Sequence, residues 1–121
     1  MEVISVVERR RGPRVDVCWP LRVSALSGVG DGRITDASMC GLLFEAGIDI
    51  EEGELVTLRI AVDSSTTIDC AAQVVRRPNG NTAYAADIRY ISAADRQRLS
   101  FALLVARDPG LAQRARMDAA A

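Results

Sequence analysis

The feature that most constrains the fold is an apolar/polar alternation that begins at Val15. Apolar residues occupy every second position from Val15 to Val23, and Asp16, Cys18, Pro20 and Arg22 lie between them. Because successive side chains of a strand point to opposite faces, a period of two residues predicts a half-buried β-strand. Pro20 has no N–H for a sheet ladder, so we expect it at an edge or a bulge.

Five further segments also have the composition of strands. They are separated by segments rich in glycine, serine, aspartate or asparagine, which are typical of turns. The strand segments are 33–38, 41–46, 55–62, 68–77 and 82–90, and the turns or loops between them are 27–32, 47–54, 63–67 and 78–81. Six short strands joined by turns predict an all-β fold, as an antiparallel barrel or a sandwich.

The last part of the chain changes to a helical pattern. Ser92 is a candidate N-cap, with Asp95 three residues later as a capping-box partner. Apolar residues then recur at helical spacing at Leu99, Ala102, Leu103 and Ala106. The "DPG" sequence at 108–110 ends the predicted helix. We therefore expect a flexible arm over 1–14, a barrel with its helix over 15–107, and a tail over 108–121 that is mobile or extends the helix.

Composition argues against catalysis and metal binding. The chain has no histidine and no lysine, so the commonest general bases are missing. Its three cysteines are far apart, which favours free, buried thiols in a reducing cytoplasm over a metal site. No segment has the length of apolar sequence that a membrane span needs. We expect a cytoplasmic protein that is not an enzyme, has no membrane insertion, and holds no metal or cofactor.

Positive charge is concentrated near the N-terminus. Arg9, Arg10, Arg11 and Arg14 surround a Gly12-Pro13 bend, although the net charge of the chain is only −1. Guanidinium groups bind phosphates in bidentate fashion and match the two Hoogsteen acceptors of guanine. Taken alone, the cluster is better explained as a solvated basic end, because all basic residues of this chain are arginines.

A second element is the sequence "DASMCG" at 36–41. Asp36 and Ser38 come at the end of a predicted strand, and Gly41 opens the next. An aspartate there can accept hydrogen bonds from guanine N1–H and N2, a serine hydroxyl can bind a base or phosphate, and glycine permits close backbone approach. The local pattern alone also fits an ordinary turn stabilised by a polar side chain.

Together, the two elements resemble the PilZ domain family, whose pattern is RxxxR followed by (D/N)xSxxG. Arg10 and Arg14 match the first motif, and Asp36, Ser38 and Gly41 match the second, with similar surroundings over roughly residues 8 to 106. The resemblance implies a six-stranded antiparallel β-barrel with a C-terminal helix. It also implies a bacterial receptor for cyclic di-GMP.

The resemblance also implies a role for each matching residue. The arm arginines would take phosphates and guanine edges, and the second motif would meet a guanine from the barrel surface. An arginine at the place of Arg9 is associated in the family with binding of an intercalated ligand dimer, whereas Arg11 matches nothing. The chain departs from the family in its closing strand, where Ala85-Ala86 replaces a glycine-rich stretch and could narrow the surface near the ligand.

Several functional interpretations stay open at this point. The leading one is an adaptor that binds cyclic di-GMP and signals to an unidentified effector protein through a changed surface. One alternative is a PilZ-like module that binds a protein without nucleotide. A barrel that binds single-stranded nucleic acid is disfavoured by the pI of about 5.4 and by an aromatic content of 4%. The oligomeric state is open, with a monomer as the preferred expectation.

Overall fold

The structure is a computed structural model that describes residues 14–77, 83–108 and 110. In this part of the chain, six strands form a closed antiparallel barrel, and one helix follows. The elements are β1 (Val15–Ala25), β2 (Gly28–Ala37), β3 (Gly41–Ala46), β4 (Leu55–Asp63), β5 (Thr66–Arg76), β6 (Ala83–Ile91) and α1 (Ala93–Arg107). The order around the barrel is β1-β2-β3-β6-β5-β4, so β6 lies between β3 and β5. The prediction of a barrel with a C-terminal helix is confirmed.

The two-residue period of the strands produces the core. In β1 the buried side chains are Val15, Trp19, Leu21 and Val23, while the polar residues between them face outward. Tyr84 of β6 packs on Phe44 of β3 inside the barrel, with ring centroids 5.4 Å apart. The helix α1 packs against β1 and β5 and buries Leu99 and Leu103.

The segment 27–32 was predicted to be a turn or a loop, but only Ser27 lies in a turn, and the prediction was wrong from Gly28 onward. β1 continues to Ala25 and β2 begins at Gly28, so the turn consists of Leu26 and Ser27. Gly28 has a φ of 137°, which favours glycine. A Cβ at Gly32 would collide with the backbone carbonyl oxygen of Glu45 on β3. Gly32 therefore allows β2 and β3 to approach each other closely, and it does not form a turn.

Two irregularities in the ladders lie beside the second motif. The β1–β2 register shifts between Asp16 and Trp19, and the β2–β3 register shifts between Ile34 and Asp36. Pro20 lies directly after the first shift and one residue before the β1–β4 pairing begins. This position agrees with the expectation that Pro20 lies at an edge or a bulge. Because bulges bend strands and re-aim side chains, these shifts set the direction of Asp36.

The start of α1 follows the prediction only in part. The Ser92 hydroxyl accepts a hydrogen bond from the Asp95 N–H at 3.0 Å, as an N-cap does. The Asp95 carboxylate does not complete a capping box: it accepts from the N–H of Asp69 on β5 at 3.1 Å and from Arg98 at 2.7 Å. The hydrogen bond from Asp69 lowers the pKa of Asp95. Asp108 caps the C-terminus of α1, at the predicted end.

The cysteines differ from the expectation of three buried thiols. Cys70 is buried, but Cys18 and Cys40 are exposed. Cys18 lies at a polar position of the β1 alternation, and Cys40 lies in the turn before β3. Burial raises the pKa of the Cys70 thiol to about 12.

Three predicted features lie outside the described residues: the arm up to Pro13, the turn at 78–81 and the tail beyond Gly110. Over the ranges 14–77 and 83–108, no helix has both the length and the apolar character needed to cross a membrane.

Candidate functional site

The two sequence motifs meet in an ion pair at the start of β1. Arg14 Nε donates a hydrogen bond to Asp36 Oδ2 at 3.0 Å. The antiparallel β1–β2 pairing brings these residues together although they are 22 positions apart, because Val15 pairs with Ala37. The Arg14 side chain is 62% exposed and the Asp36 side chain 20% exposed, so the arginine faces solvent while the carboxylate is largely enclosed.

The second carboxylate oxygen of Asp36 is the unusual atom of the site. Oδ1 is buried and has no hydrogen-bond partner among the described residues. Leaving a buried acceptor unsatisfied costs about 1–3 kcal/mol, and more for a charged group. Native proteins rarely leave such an atom unsatisfied, and a water, an ion or a ligand donor can complete it.

Ser38 and Gly41 form the turn that joins β2 to β3. The Ser38 hydroxyl accepts from the N–H groups of Cys40 at 3.2 Å and Gly41 at 3.0 Å, and it donates to the Gly41 carbonyl at 3.3 Å. The Ser38 N–H also donates to the Gly41 carbonyl, at 2.9 Å. The hydroxyl has one donor and two acceptor positions, so this turn uses all of them. Ser38 therefore stabilises the turn in this structure, rather than presenting a free hydroxyl.

Gly41 lies against β6. It pairs with Asp87, and a Cβ at Gly41 would lie 3.3 Å from the Ala86 carbonyl oxygen and 3.9 Å from Asp87 Oδ1. The first distance is tight but can be relieved by a small shift. Glycine here leaves the outer surface open between β3 and β6, beside half-buried Ala85, whereas Ala86 is buried in the core.

The described part of this site is rich in carboxylates, which sequence reasoning missed. Asp16 of β1 pairs directly with Asp36, and exposed Asp87 lies across from Gly41. Like charges on directly opposed residues repel each other. The alternation of β1 indicates that Asp16 faces outward, but only the strand register shows which residue it faces.

Of the six predicted site residues, the structure brings four together in two contacting pairs. Arg14 bonds to Asp36, and Ser38 bonds to Gly41, with Ala37 as the only residue between Asp36 and Ser38. Arg9 and Arg10 lie outside the described residues, so their roles stay predictions.

A family model described as the PilZ domain matches residues 8–104 of the chain. No curated protein sequence matches this chain. The inhibitor of motility of Bacillus subtilis (MotI/DgrA) has a TM-score of 0.66 at 20% identity, covering 85% of this chain and 51% of its own. The chain therefore spans about half the length of that protein.

Two solved PilZ domains are similar over most of their own length. The PilZ domain of YcgR from Escherichia coli, solved with c-di-GMP, has a TM-score of 0.67 at 14% identity, covering 92% of this chain and 97% of its own. The PilZ domain of CeSA from a cellulose-synthesizing bacterium has a TM-score of 0.56 at 16% identity, covering 77% and 92%. At these identities the likeness establishes a shared fold.

Proposed function

The chain belongs to the PilZ domain family, and from this membership we propose that it is a receptor for cyclic di-GMP. PilZ domains are binding domains rather than catalytic ones, and the YcgR domain of the same fold was solved with this dinucleotide. The observation that carries the proposal is the Asp36 carboxylate, which keeps one oxygen bonded to Arg14 and one buried oxygen without a described partner.

Asp36 has the chemistry to read a guanine. The Watson–Crick edge of guanine presents two donors, N1–H and N2, and an ionised carboxylate offers only acceptors. Oδ1 is buried in this structure, so the Asp36 carboxylate must turn outward before a guanine over the β2–β3 turn can bond to it. That bond would remove the cost of leaving Oδ1 unpaired. Gly41 supports this position because a side chain there would occupy the adjacent surface.

The phosphates would be bound by the arginines, because the barrel side of the site is acidic. Asp16, Asp36 and Asp87 repel a dianionic ligand, so its two phosphates need several cations. Arg14 reaches Asp36 through Nε, and its guanidinium fork has further N–H groups that can donate to a phosphate at the same time. Arg10 would supply a second fork, and Arg9 would bind a second, intercalated dinucleotide.

Binding becomes a signal when the arm covers the ligand. Fixing residues of the arm costs about 1–2 kcal/mol each, which charge-assisted bonds from Arg10 and Arg14 would offset. The covered ligand and the arm then form a new surface for an effector protein. We infer an adaptor role, with the effector and its pathway still to be identified.

Isothermal titration of the full chain with cyclic di-GMP tests the proposal. We expect binding, and we expect Arg10→Ala or Arg14→Ala to abolish it. The matched control is Arg33→Ala, since Arg33 is also an exposed arginine paired with one carboxylate, Glu45, at 3.2 Å. Absence of heat at tens of micromolar ligand would refute the proposal and favour the nucleotide-independent alternative.

Stoichiometry tests the role of Arg9 separately. Two dinucleotides per wild-type chain and one per Arg9→Ala chain would support the intercalated dimer. A single dinucleotide per wild-type chain would contradict that role without affecting the proposed receptor function. Pull-downs with and without the dinucleotide would then show whether effector capture depends on it.

A further inference from the structure

A second concentration of positive charge lies on a different surface of the barrel. An open cleft of about 760 Å³ extends over β1, β4, β5, β6 and the start of α1. Its charged lining residues are four arginines and one aspartate, namely Arg22, Arg59, Arg89, Arg96 and Asp69, and Tyr90 lies beside them. We call these six residues the arginine cleft. Because the net charge of the chain is −1, the excess of arginine here is local.

The arrangement of two of these arginines is unfavourable for the isolated barrel. Arg22 of β1 and Arg59 of β4 are directly opposed in the ladder, where like charges destabilise a sheet. Carboxylates flank the pair: Asp31 lies 3.5 Å from Arg22, and Asp69 lies 2.9 Å from Arg59. Across β2, β1, β4 and β5, the facing charged residues are therefore Asp31, Arg22, Arg59 and Asp69, in that order.

Among the described residues, no carboxylate pairs with the other two arginines, Arg89 and Arg96. Arg89 donates from Nε and Nη2 to the amide oxygen of Gln73, at 3.0 and 2.7 Å. This neutral acceptor fixes the guanidinium group but leaves its charge in place. Within the described ranges, neither Arg89 nor Arg96 forms an ion pair, so the cleft has a net positive charge that an anionic partner would neutralise.

Tyr90 indicates the kind of partner. Tyr90 is 69% exposed although tyrosine carries a large apolar ring. Exposed tyrosines beside arginines are typical of protein interfaces, where both residue types contribute most of the binding energy. A long nucleic-acid strand would also contact the acidic remainder of the molecule, whereas a short acidic segment contacts only the cleft.

We propose that the arginine cleft binds an acidic segment of a partner protein, with aspartate or glutamate side chains between the arginines. The cleft shares no residue with the Arg14–Asp36 site. The inference therefore stands whether or not the chain binds cyclic di-GMP.

Fluorescence anisotropy with a labelled peptide of alternating glutamate and serine tests the proposal on the full chain. At low ionic strength we expect the peptide to bind, and added salt should weaken the binding because exposed charges are screened. A peptide with glutamine in place of glutamate should not bind.

A pair of matched double variants locates the binding surface. Arg22→Gln/Arg96→Gln removes two charges from the cleft, and Arg33→Gln/Arg107→Gln removes two from β2 and the last turn of α1. An exposed ion pair contributes about two- to fivefold, so we expect roughly tenfold weaker binding for the cleft variant and less than about a twofold change for the control. Thermal melts of both variants check that the fold is retained.

Three results would overturn the proposal. The first is no binding of the acidic peptide to the wild-type chain. The second is an equal loss in both double variants, which would indicate a general charge effect. The third is that a single-stranded oligonucleotide or inorganic pyrophosphate, but not the peptide, binds in a manner that depends on Arg22 and Arg96.

Discussion

Replacing Asp36 by alanine should separate ligand binding from stability. The variant loses the pair with Arg14, whose 62% exposed side chain limits the contribution of this ion pair to about 0.2–1 kcal/mol. It also removes the unpaired buried Oδ1, whose cost is about 1–3 kcal/mol, and the repulsion with Asp16. Alanine is no poorer a strand residue than aspartate, so strand propensity does not oppose this gain. We therefore expect an unchanged or higher free energy of unfolding.

The same substitution should greatly weaken dinucleotide binding. A guanine that donates two charge-assisted hydrogen bonds to Asp36 gains about 1.5–3 kcal/mol from each. Since about 1.4 kcal/mol corresponds to a tenfold change in affinity, we expect a loss of roughly 100-fold or more. The control is Asp31→Ala, which removes a carboxylate of the same strand, paired with Arg22 at 3.5 Å, without touching the site.

Two assays on the same samples decide the outcome. Thermal melts without ligand should show Asp36→Ala melting at or a few degrees above the wild type, since about 1 kcal/mol corresponds to roughly 4 °C. Titration calorimetry should show wild-type affinity for Asp31→Ala and severe loss for Asp36→Ala. A melting temperature that drops by many degrees, or an affinity for Asp36→Ala close to that of the wild type, would refute this reasoning.

Three further predictions concern residues away from the ligand. Tyr84→Phe removes a hydroxyl that accepts from the Ile50 N–H at 3.2 Å and donates to the Ile48 carbonyl at 2.9 Å, so urea denaturation should show about 1–3 kcal/mol lower stability; an unchanged midpoint would contradict these bonds. Because burial raises the pKa of Cys70 to about 12, iodoacetamide at neutral pH should label the two exposed cysteines and spare Cys70, as mass spectrometry can show. The hydrogen bond from a β5 backbone N–H lowers the pKa of Asp95 below 3.8 in the folded state, so its contribution is complete above that pH and is lost as pH falls through the lower value. Asp95→Asn should therefore lose less stability than the wild type on acidification, and parallel acid titrations of the two proteins would argue against this role.

The strand periodicity predicted the architecture because burial on alternate positions is a local property of the chain. It failed at 27–32, where glycines were interpreted as turn residues. Gly32 is required by the Glu45 carbonyl on a neighbouring strand, and no local pattern contains that contact. The capping-box prediction at Ser92 failed in part for the same reason, because Asp95 bonds to Asp69 on another element.

The motif residues of the candidate site were found from their order and spacing, but their contacts were not. The Arg14–Asp36 pair depends on the β1–β2 register, which a one-residue slip would change. The Ser38 hydroxyl was expected to face a ligand, whereas the structure shows it bonded within the turn. Only the three-dimensional arrangement shows that the Ser38 hydroxyl is bonded within the turn, while Asp36 keeps one carboxylate oxygen without a described partner.

The position of β6 in the barrel has a consequence for synthesis of the protein on the ribosome. Until β6 emerges, the earlier strands can form only an open sheet, whose edges are β3 and β5. Unpaired edges of this kind readily pair with other chains. These two edges therefore stay unpaired from the emergence of Arg76 until Ile91 leaves the exit tunnel, and the nascent chain can aggregate through them in that interval. A slow passage through that interval, for example at rare codons, would lower the yield of folded protein without changing a single contact of the finished barrel.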